Sequence, residues 1–300
     1  MRTPFTGVGT ALVSPFTKSG ALDESAVRRL GRRQIDAGIH FLCPCGTTGE
    51  NPTLTDAERI RTVEILADEA KGKVPILAGA GGYDTRDVIQ IAGEMKKAGA
   101  SGLLSVTPYY NKPTQEGLFQ HYRAIAESTT LPIIVYNVPG RTGVNVDVST
   151  LARLAELPNI AGVKEASGNV TQMCEICRAV PDDFIVLSGD DALTVPLMAI
   201  GGDGIISVAS NEIPAEMVKM VEAAERNDFA AAREMHTRLL PLLLVNFIES
   251  NPIPVKAAMA AMGLLEDAYR LPMVAPKAES KEKILNVLKE LGLLNKPAFA

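Results

Sequence analysis

The chain has 300 residues, 46% of them hydrophobic and 22% charged, with a formal net charge of -5. That length can bury the core of one large α/β domain or of two ordinary ones, and the acidic balance excludes the basic footprint of a nucleic-acid binder. The most apolar stretch, Leu239–Ile248, is interrupted by Pro241 and Asn246 and falls short of the ~18 residues a membrane span needs; threonine, proline and glycine break the first sixteen residues where a secretory leader needs an unbroken apolar core. A soluble, cytoplasmic protein with neither a nucleic-acid nor a membrane partner is expected.

In chain order, short β-branched and apolar runs alternate with longer segments of helical period. Strands are expected over Val8–Val13, His40–Cys45, Val74–Ala78, Gly102–Val106, Pro132–Val138, Ile160–Glu165, Phe184–Ser188 and Gly204–Val208. Helices are expected between them, at Asp23–Ala37, Thr55–Ala70, Thr85–Ala98, Thr114–Glu127 and Val170–Ala179 among others. Thr55 with Glu58 reads as a capping box and Thr85 before Val88 as a start, while Gly38, Gly72 and Gly99 read as stops. From Asp228 onward the pattern is helical, broken by Asn251-Pro252-Ile253-Pro254.

Eight strands, each followed by a helix, are what a closed parallel (β/α)8 barrel, a TIM barrel, requires; buried on both faces, such strands read as continuous apolar runs. An open doubly wound sheet competes, but no dinucleotide-type glycine turn follows the first strand. We therefore expect a barrel over residues 1–227 and a helical region packed on it over 228–300. The pairs Cys43/Cys45 and Cys174/Cys177 lack the knuckle loops of a structural zinc site, and His40, His121 and His236 show no ligand spacing. No metal and no cofactor is expected. Gly201, Gly202 and Gly204 precede a strand, so they read as turn chemistry and not as a phosphate cradle.

Barrel enzymes carry their chemistry at the carboxyl ends of the strands, and the unusual residues collect there. Lys164 ends an apolar run, Ile160-Ala161-Gly162-Val163-Lys164-Glu165. A cation in such a layer loses hydration, and desolvation turns an amine into a nucleophile. The glycines around Thr47 and Thr48 let backbone N–H groups approach a small carboxylate. Tyr136, after Ile133-Ile134-Val135, can relay protons as a carbinolamine becomes an imine. Tyr109 and Tyr110 are adjacent, so in extended backbone they point to opposite sides. Arg141, in a Pro-Gly-Arg turn, is a natural bidentate clamp for an anionic second substrate.

These segments, with Gly9–Phe16, Pro108–Pro113, Tyr136–Gly143, Gly162–Ala166, Leu187–Asp191 and Asn251–Lys256, resemble the dihydrodipicolinate synthases, within the N-acetylneuraminate lyase family of pyruvate-dependent class I aldolases. The resemblance is nearly full length. It implies a barrel with a C-terminal helical region, a homotetramer built as a dimer of dimers, and Lys164 forming a Schiff base with pyruvate. It further implies a proton relay of Thr47, Tyr136 and Tyr110, with Tyr110 reaching into a neighbouring subunit's site. Thr48 joins Thr47 on the pyruvate carboxylate, Arg141 takes the carboxylate of aspartate 4-semialdehyde, and Gly189 and Ile206 line the pyruvate pocket through backbone groups. Lysine and diaminopimelate biosynthesis is the implied setting.

Two alternatives stay open. A sialic acid lyase or a keto-deoxy sugar acid aldolase shares the lysine and tyrosine chemistry but needs room for a polyol, which the compact Pro139–Gly143 segment disfavours. A non-catalytic ligand-binding paralogue is possible on any fold. The resemblance also places Asn51, Asp56, Arg59, Tyr83, Asp87 and Tyr109 in a regulatory pocket. The histidines and the asparagine of the lysine-sensitive pattern are missing there, and weak or absent inhibition by lysine is expected.

Overall fold

The computed structural model describes residues 3–294. Eight strands alternate with helices: β1 (Gly7–Ala11), α1 (Glu24–Asp36), β2 (Phe41–Cys43), α2 (Asp56–Ala70), β3 (Leu77–Gly79), α3 (Thr85–Lys97), β4 (Gly102–Val106), α4 (Gln115–Ser128) and β5 (Ile133–Asn137) form the first part. A single turn α5 (Pro139–Thr142) and α6 (Val148–Leu154) precede β6 (Ile160–Glu165), α7 (Val170–Ala179), β7 (Ile185–Ser188), α8 (Thr194–Ala199), β8 (Gly204–Ser207) and α9 (Pro214–Glu225). The chain continues with α10 (Phe229–Val245), α11 (Ile253–Ala261) and α12 (Ala278–Glu290).

All strand pairs are parallel, in the order β2-β1-β8-β7-β6-β5-β4-β3. The isolated parallel bridge Leu42↔Ile76 joins the two ends, so the sheet closes and the expected barrel is observed. Period-two alternation sorts each strand. Phe41, Leu77, Leu104, Ile134, Ile185 and Ile206 point into the barrel with Tyr136, whereas Leu42, Ala78, Leu103, Ile133, Val163 and Ile205 face the helices. The strand Val74–Ala78 expected from sequence is shifted to Leu77–Gly79. Gly79 is admitted because a Cβ there would stand 2.0 Å from the Cys45 carbonyl oxygen.

Helix starts follow capping chemistry. Thr55 and Glu58 close a capping box on α2. α3 begins at Thr85 as expected, but its cap is Asp84, which accepts from Arg86 N at 2.9 Å, while the Thr85 hydroxyl contacts His121 Nδ1 at 2.9 Å. An aspartate one residue earlier offers the stronger acceptor. Gly204, at φ 135°, opens β8 beside Gly7, whose carbonyl oxygen a Cβ would meet at 1.9 Å, so this glycine is a packing requirement.

A buried acidic pair lies where β8 gives way to α9. Asp191 accepts from Ser207 Oγ, Val208 N and Ala209 N. Glu212 accepts from Asn246 Nδ2 at 2.6 Å, while its Oε1 has no partner among the described residues. Burial pushes Asp191 up to about 6 and Glu212 up to about 8. The native state thus holds these protons more tightly than the unfolded chain, and stability falls as pH rises through the raised values. We expect Glu212→Gln to flatten the fall in thermal midpoint between about pH 5 and about pH 9, leaving only the Asp191 part below about pH 6. Parallel midpoint curves for the two proteins would contradict this assignment.

Candidate active site

Lys164 and Tyr136 are register partners on β6 and β5, both on the inner face. Lys164 is 5% exposed, and its Nζ lies 4.3 Å from the centroid of the Tyr136 ring. Among the described residues no carboxylate stands within ion-pair distance of that nitrogen. Gly189, at the end of β7, makes the room: a Cβ there would meet Ala166 Cβ at 2.6 Å and Lys164 Cε at 3.1 Å. Ile206 belongs to the inner layer beside them.

The end of β6 is braced from outside the barrel. Glu165, fully buried, accepts from Asn137 Nδ2 at 2.9 Å and from Ser167 N at 2.7 Å. Asn137 Oδ1 in turn accepts from Val146 N at 3.0 Å. Two charged neighbours in sequence thus face opposite ways, Lys164 inward and Glu165 into its own hydrogen bonds.

Above the strands lies a cavity of about 310 Å³ with Thr47, Tyr109, Tyr136, Arg141 and Asn251 on its wall. Thr47 sits in a turn closed by Glu50 N donating to Thr47 O at 3.0 Å, with Cys45 and Glu50 in the left-handed region at φ 59° and 53°. The Thr48 side chain is directed elsewhere: it is buried, and its hydroxyl accepts from Asn251 Nδ2 at 2.9 Å. Arg141, on α5, donates from Nη2 to the Asn251 carbonyl at 3.3 Å. Cys45 also lines the cavity, but burial pushes its thiol up to about 12, which makes it a packing residue.

Tyr109 and Tyr110 do part, although not through extended backbone. Tyr110 takes φ 71° and is 93% exposed, so it stands outside this chain's own cavity. Tyr109 packs edge-on against Tyr83 at 5.3 Å and shares the wall of a second cavity of about 210 Å³ with Asn51, Arg59, Tyr83 and Asp87. Arg59 donates to Asn51 Oδ1 at 2.9 Å and pairs with the exposed Asp56.

The sequence reading missed the residues that tie these loops together. Lys256 on α11 is fully buried and pairs with Glu50 Oε1 at 2.6 Å, its Nζ also lying 4.2 Å from the Phe16 ring centroid. Asn251, just before α11, joins Thr48 to Arg141. The available signal was a lysine inside the apolar helix Ile253–Ala261, the same kind of anomaly as Lys164 in β6. A larger groove of about 970 Å³ runs along α1, α2 and the start of α9; its Arg28, Arg32 and Arg61 are engaged by Asp68, Glu69 and Glu24.

An amine on the inner face of a barrel, with a phenol ring beside it and no carboxylate in ion-pair distance among the described residues, can form an imine; Tyr136 also lines the cavity that Thr47 and Arg141 line, whereas Lys164 is not on its wall. The dihydrodipicolinate synthetase family model matches residues 4–291. The chain belongs to that family. The 4-hydroxy-tetrahydrodipicolinate synthase of Koribacter versatilis is 49% identical over 295 residues, covering 98% of each chain. The dihydrodipicolinate synthase of Aquifex aeolicus is 42% identical with a TM-score of 0.95, covering 98% of this chain and 100% of that one. A chloride-inhibited dihydrodipicolinate synthase from Acinetobacter baumannii, solved in complex with pyruvate, is 40% identical with a TM-score of 0.95, covering 97% and 100%.

Burial raises the Glu50 carboxyl and lowers the Lys256 amine from their ordinary values, against their mutual attraction. Removing one member leaves the other charge buried without a partner. Lys256→Met should destabilise by about 3–5 kcal/mol, and the double variant with Glu50→Gln should recover much of that loss. Urea unfolding midpoints check this; an unchanged midpoint in Lys256→Met would show the pair to be inconsequential.

Proposed function

We propose that this chain is a lyase that condenses pyruvate with aspartate 4-semialdehyde to 4-hydroxy-tetrahydrodipicolinate, in lysine and diaminopimelate biosynthesis. The observation that carries the reading is the pair of buried lysines. Lys256 has a carboxylate partner at 2.6 Å, while Lys164, among apolar inner-face residues, has the Tyr136 ring and, among the described residues, no acid in ion-pair distance. An amine that no carboxylate holds in an ion pair is free to meet a carbonyl carbon.

The Lys164 amine adds to the keto carbon of pyruvate, and the carbinolamine loses water to give the imine. Tyr136 and Thr47 carry the protons of that exchange, and Thr47 with the neighbouring backbone N–H groups receives the carboxylate, Thr48 assisting from behind the turn. Loss of a C3 proton converts the imine to an enamine, which attacks the aldehyde carbon and leaves an alcohol there. The α-amine of the second substrate then adds to the imine carbon, closes the ring and expels the Lys164 amine. Arg141 holds the carboxylate of the second substrate. Gly189 and Ile206 bound the space around the imine.

Tyr110 completes the relay from a neighbouring subunit in this reading, which its 93% exposure supports. A homotetramer acting in the cytoplasm is the form proposed. Among the described residues no helix is long and apolar enough to cross a membrane. The second cavity is read as a weak regulatory pocket: Asp87 attracts a cation and Arg59 opposes it.

Arg141→Ala is expected to lower kcat/KM for aspartate 4-semialdehyde by about a hundredfold or more, since it removes a charge-assisted clamp, while N-acetylneuraminate and 2-keto-3-deoxygluconate remain poor substrates of both proteins. Unchanged kinetics in the variant would refute the clamp. Submillimolar L-lysine should leave the unsubstituted enzyme's rate nearly unchanged; strong cooperative inhibition would overturn the weak-pocket reading.

A further inference from the structure

The turn that carries Arg141 needs support from outside itself. α5 is a single turn of four residues, too short to persist without tertiary contacts, and the guanidinium meets the rim through a long 3.3 Å bond to the Asn251 carbonyl. After Gly143 the chain runs through residues 144–147 in neither helix nor strand, so their backbone groups depend on side chains for partners.

Amide side chains supply those partners. The Asn145 carbonyl accepts from Gln115 Nε2 at 2.8 Å, Val146 N donates to Asn137 Oδ1 at 3.0 Å, and Asp147 N donates to Gln115 Oε1 at 3.1 Å. The Asn145 side chain accepts from Asn137 Nδ2 at 2.9 Å and exchanges bonds with Gln172, donating to Oε1 at 2.9 Å and accepting from Nε2 at 3.2 Å. Gln115 begins α4, Gln172 lies in α7 and Asn137 ends β5, so the end of one strand and the starts of two helices converge on this limb.

The chain leaves β5 at Asn137 and returns to the same side chain at Val146, which closes the loop with Arg141 in its middle. Asn137 Nδ2 also donates to Glu165, its register partner, one step beyond the inward pair Tyr136 and Lys164. The base of the Arg141 loop is therefore fixed relative to the two strands that bear the imine chemistry. A guanidinium on a flexible stem reaches the right place only if the stem is rooted there, and a misplacement of about 1 Å at a reacting centre costs about a hundredfold.

We propose that Gln115 is a positioning residue for the second substrate: by bracketing Val146 it closes the Arg141 loop and sets where the guanidinium meets the substrate carboxylate. This rests on the reading of Arg141 as the clamp for that carboxylate.

The test places Gln115→Ala in the unsubstituted enzyme and in Arg141→Ala. Alone, it should lower kcat/KM for aspartate 4-semialdehyde about fivefold or more, with the KM for pyruvate and the extent of borohydride trapping at Lys164 unchanged. In the Arg141→Ala protein the same substitution should change kcat/KM by less than about twofold, because a residue that acts through Arg141 then has nothing left to position. Gln115→Glu keeps the acceptor for Asp147 N and loses the donor to the Asn145 carbonyl, so its loss should be intermediate; should the alanine variant not fold, the comparison across the two backgrounds is made with this one. An unchanged kcat/KM in Gln115→Ala, or an equal loss in both backgrounds, would overturn the positioning role while leaving the clamp intact. If Arg141→Ala itself loses nothing, the clamp reading fails and this proposal with it.

Discussion

A barrel interior excludes water, and an ammonium placed there loses several kcal/mol of hydration that only a counter-ion or deprotonation offsets, roughly as for any buried charge. The two buried lysines of this chain meet that constraint differently. Lys256 is stabilised by the Glu50 carboxylate and by the Phe16 ring, and it serves the architecture: it fastens α11 to the turn after β2. Lys164 faces the same constraint with the Tyr136 ring beside it and, among the described residues, no carboxylate in ion-pair distance. Its chemistry follows from that lack, because a nitrogen not held in an ion pair is free to meet a carbonyl.

Several details of the fold serve that single placement. Closure of the sheet through Leu42 and Ile76 makes an inside for Lys164 to occupy. The strand pleat sends Glu165 outward, where Asn137 and Ser167 hold it, and so orients the preceding residue inward. Gly189 leaves the space through which the lysine stem passes. Above, Asn251 links the turn bearing Thr47 and Thr48 to the turn bearing Arg141. Segments far apart in sequence are thereby held as one wall, and the helices after the barrel belong to the machinery of its rim.

The barrel was legible because parallel strands covered on both faces leave long apolar runs, and eight such runs at a steady interval admit few architectures. Boundaries were less so. β3 slid toward Gly79 because a close approach to Cys45 favours glycine, and no local pattern encodes that contact. Asp84 outcompeted Thr85 as a cap for a reason visible one residue upstream. Lys164 was conspicuous as a charge ending an apolar strand. Lys256 carried the same signal within an apolar helix, but its meaning depends on Glu50, 206 positions away, a pairing that periodicity cannot reveal. The outward turn of Tyr110 likewise depends on a left-handed backbone that adjacency in sequence does not encode.

The most direct measurement of the central claim is covalent. Borohydride reduction of the enzyme in saturating pyruvate, followed by proteolysis and peptide mass analysis, should place one reduced pyruvyl adduct on the peptide that contains Lys164 and leave the Lys256 peptide unmodified. An unmodified Lys164 under those conditions, or an adduct on another lysine, would contradict the account.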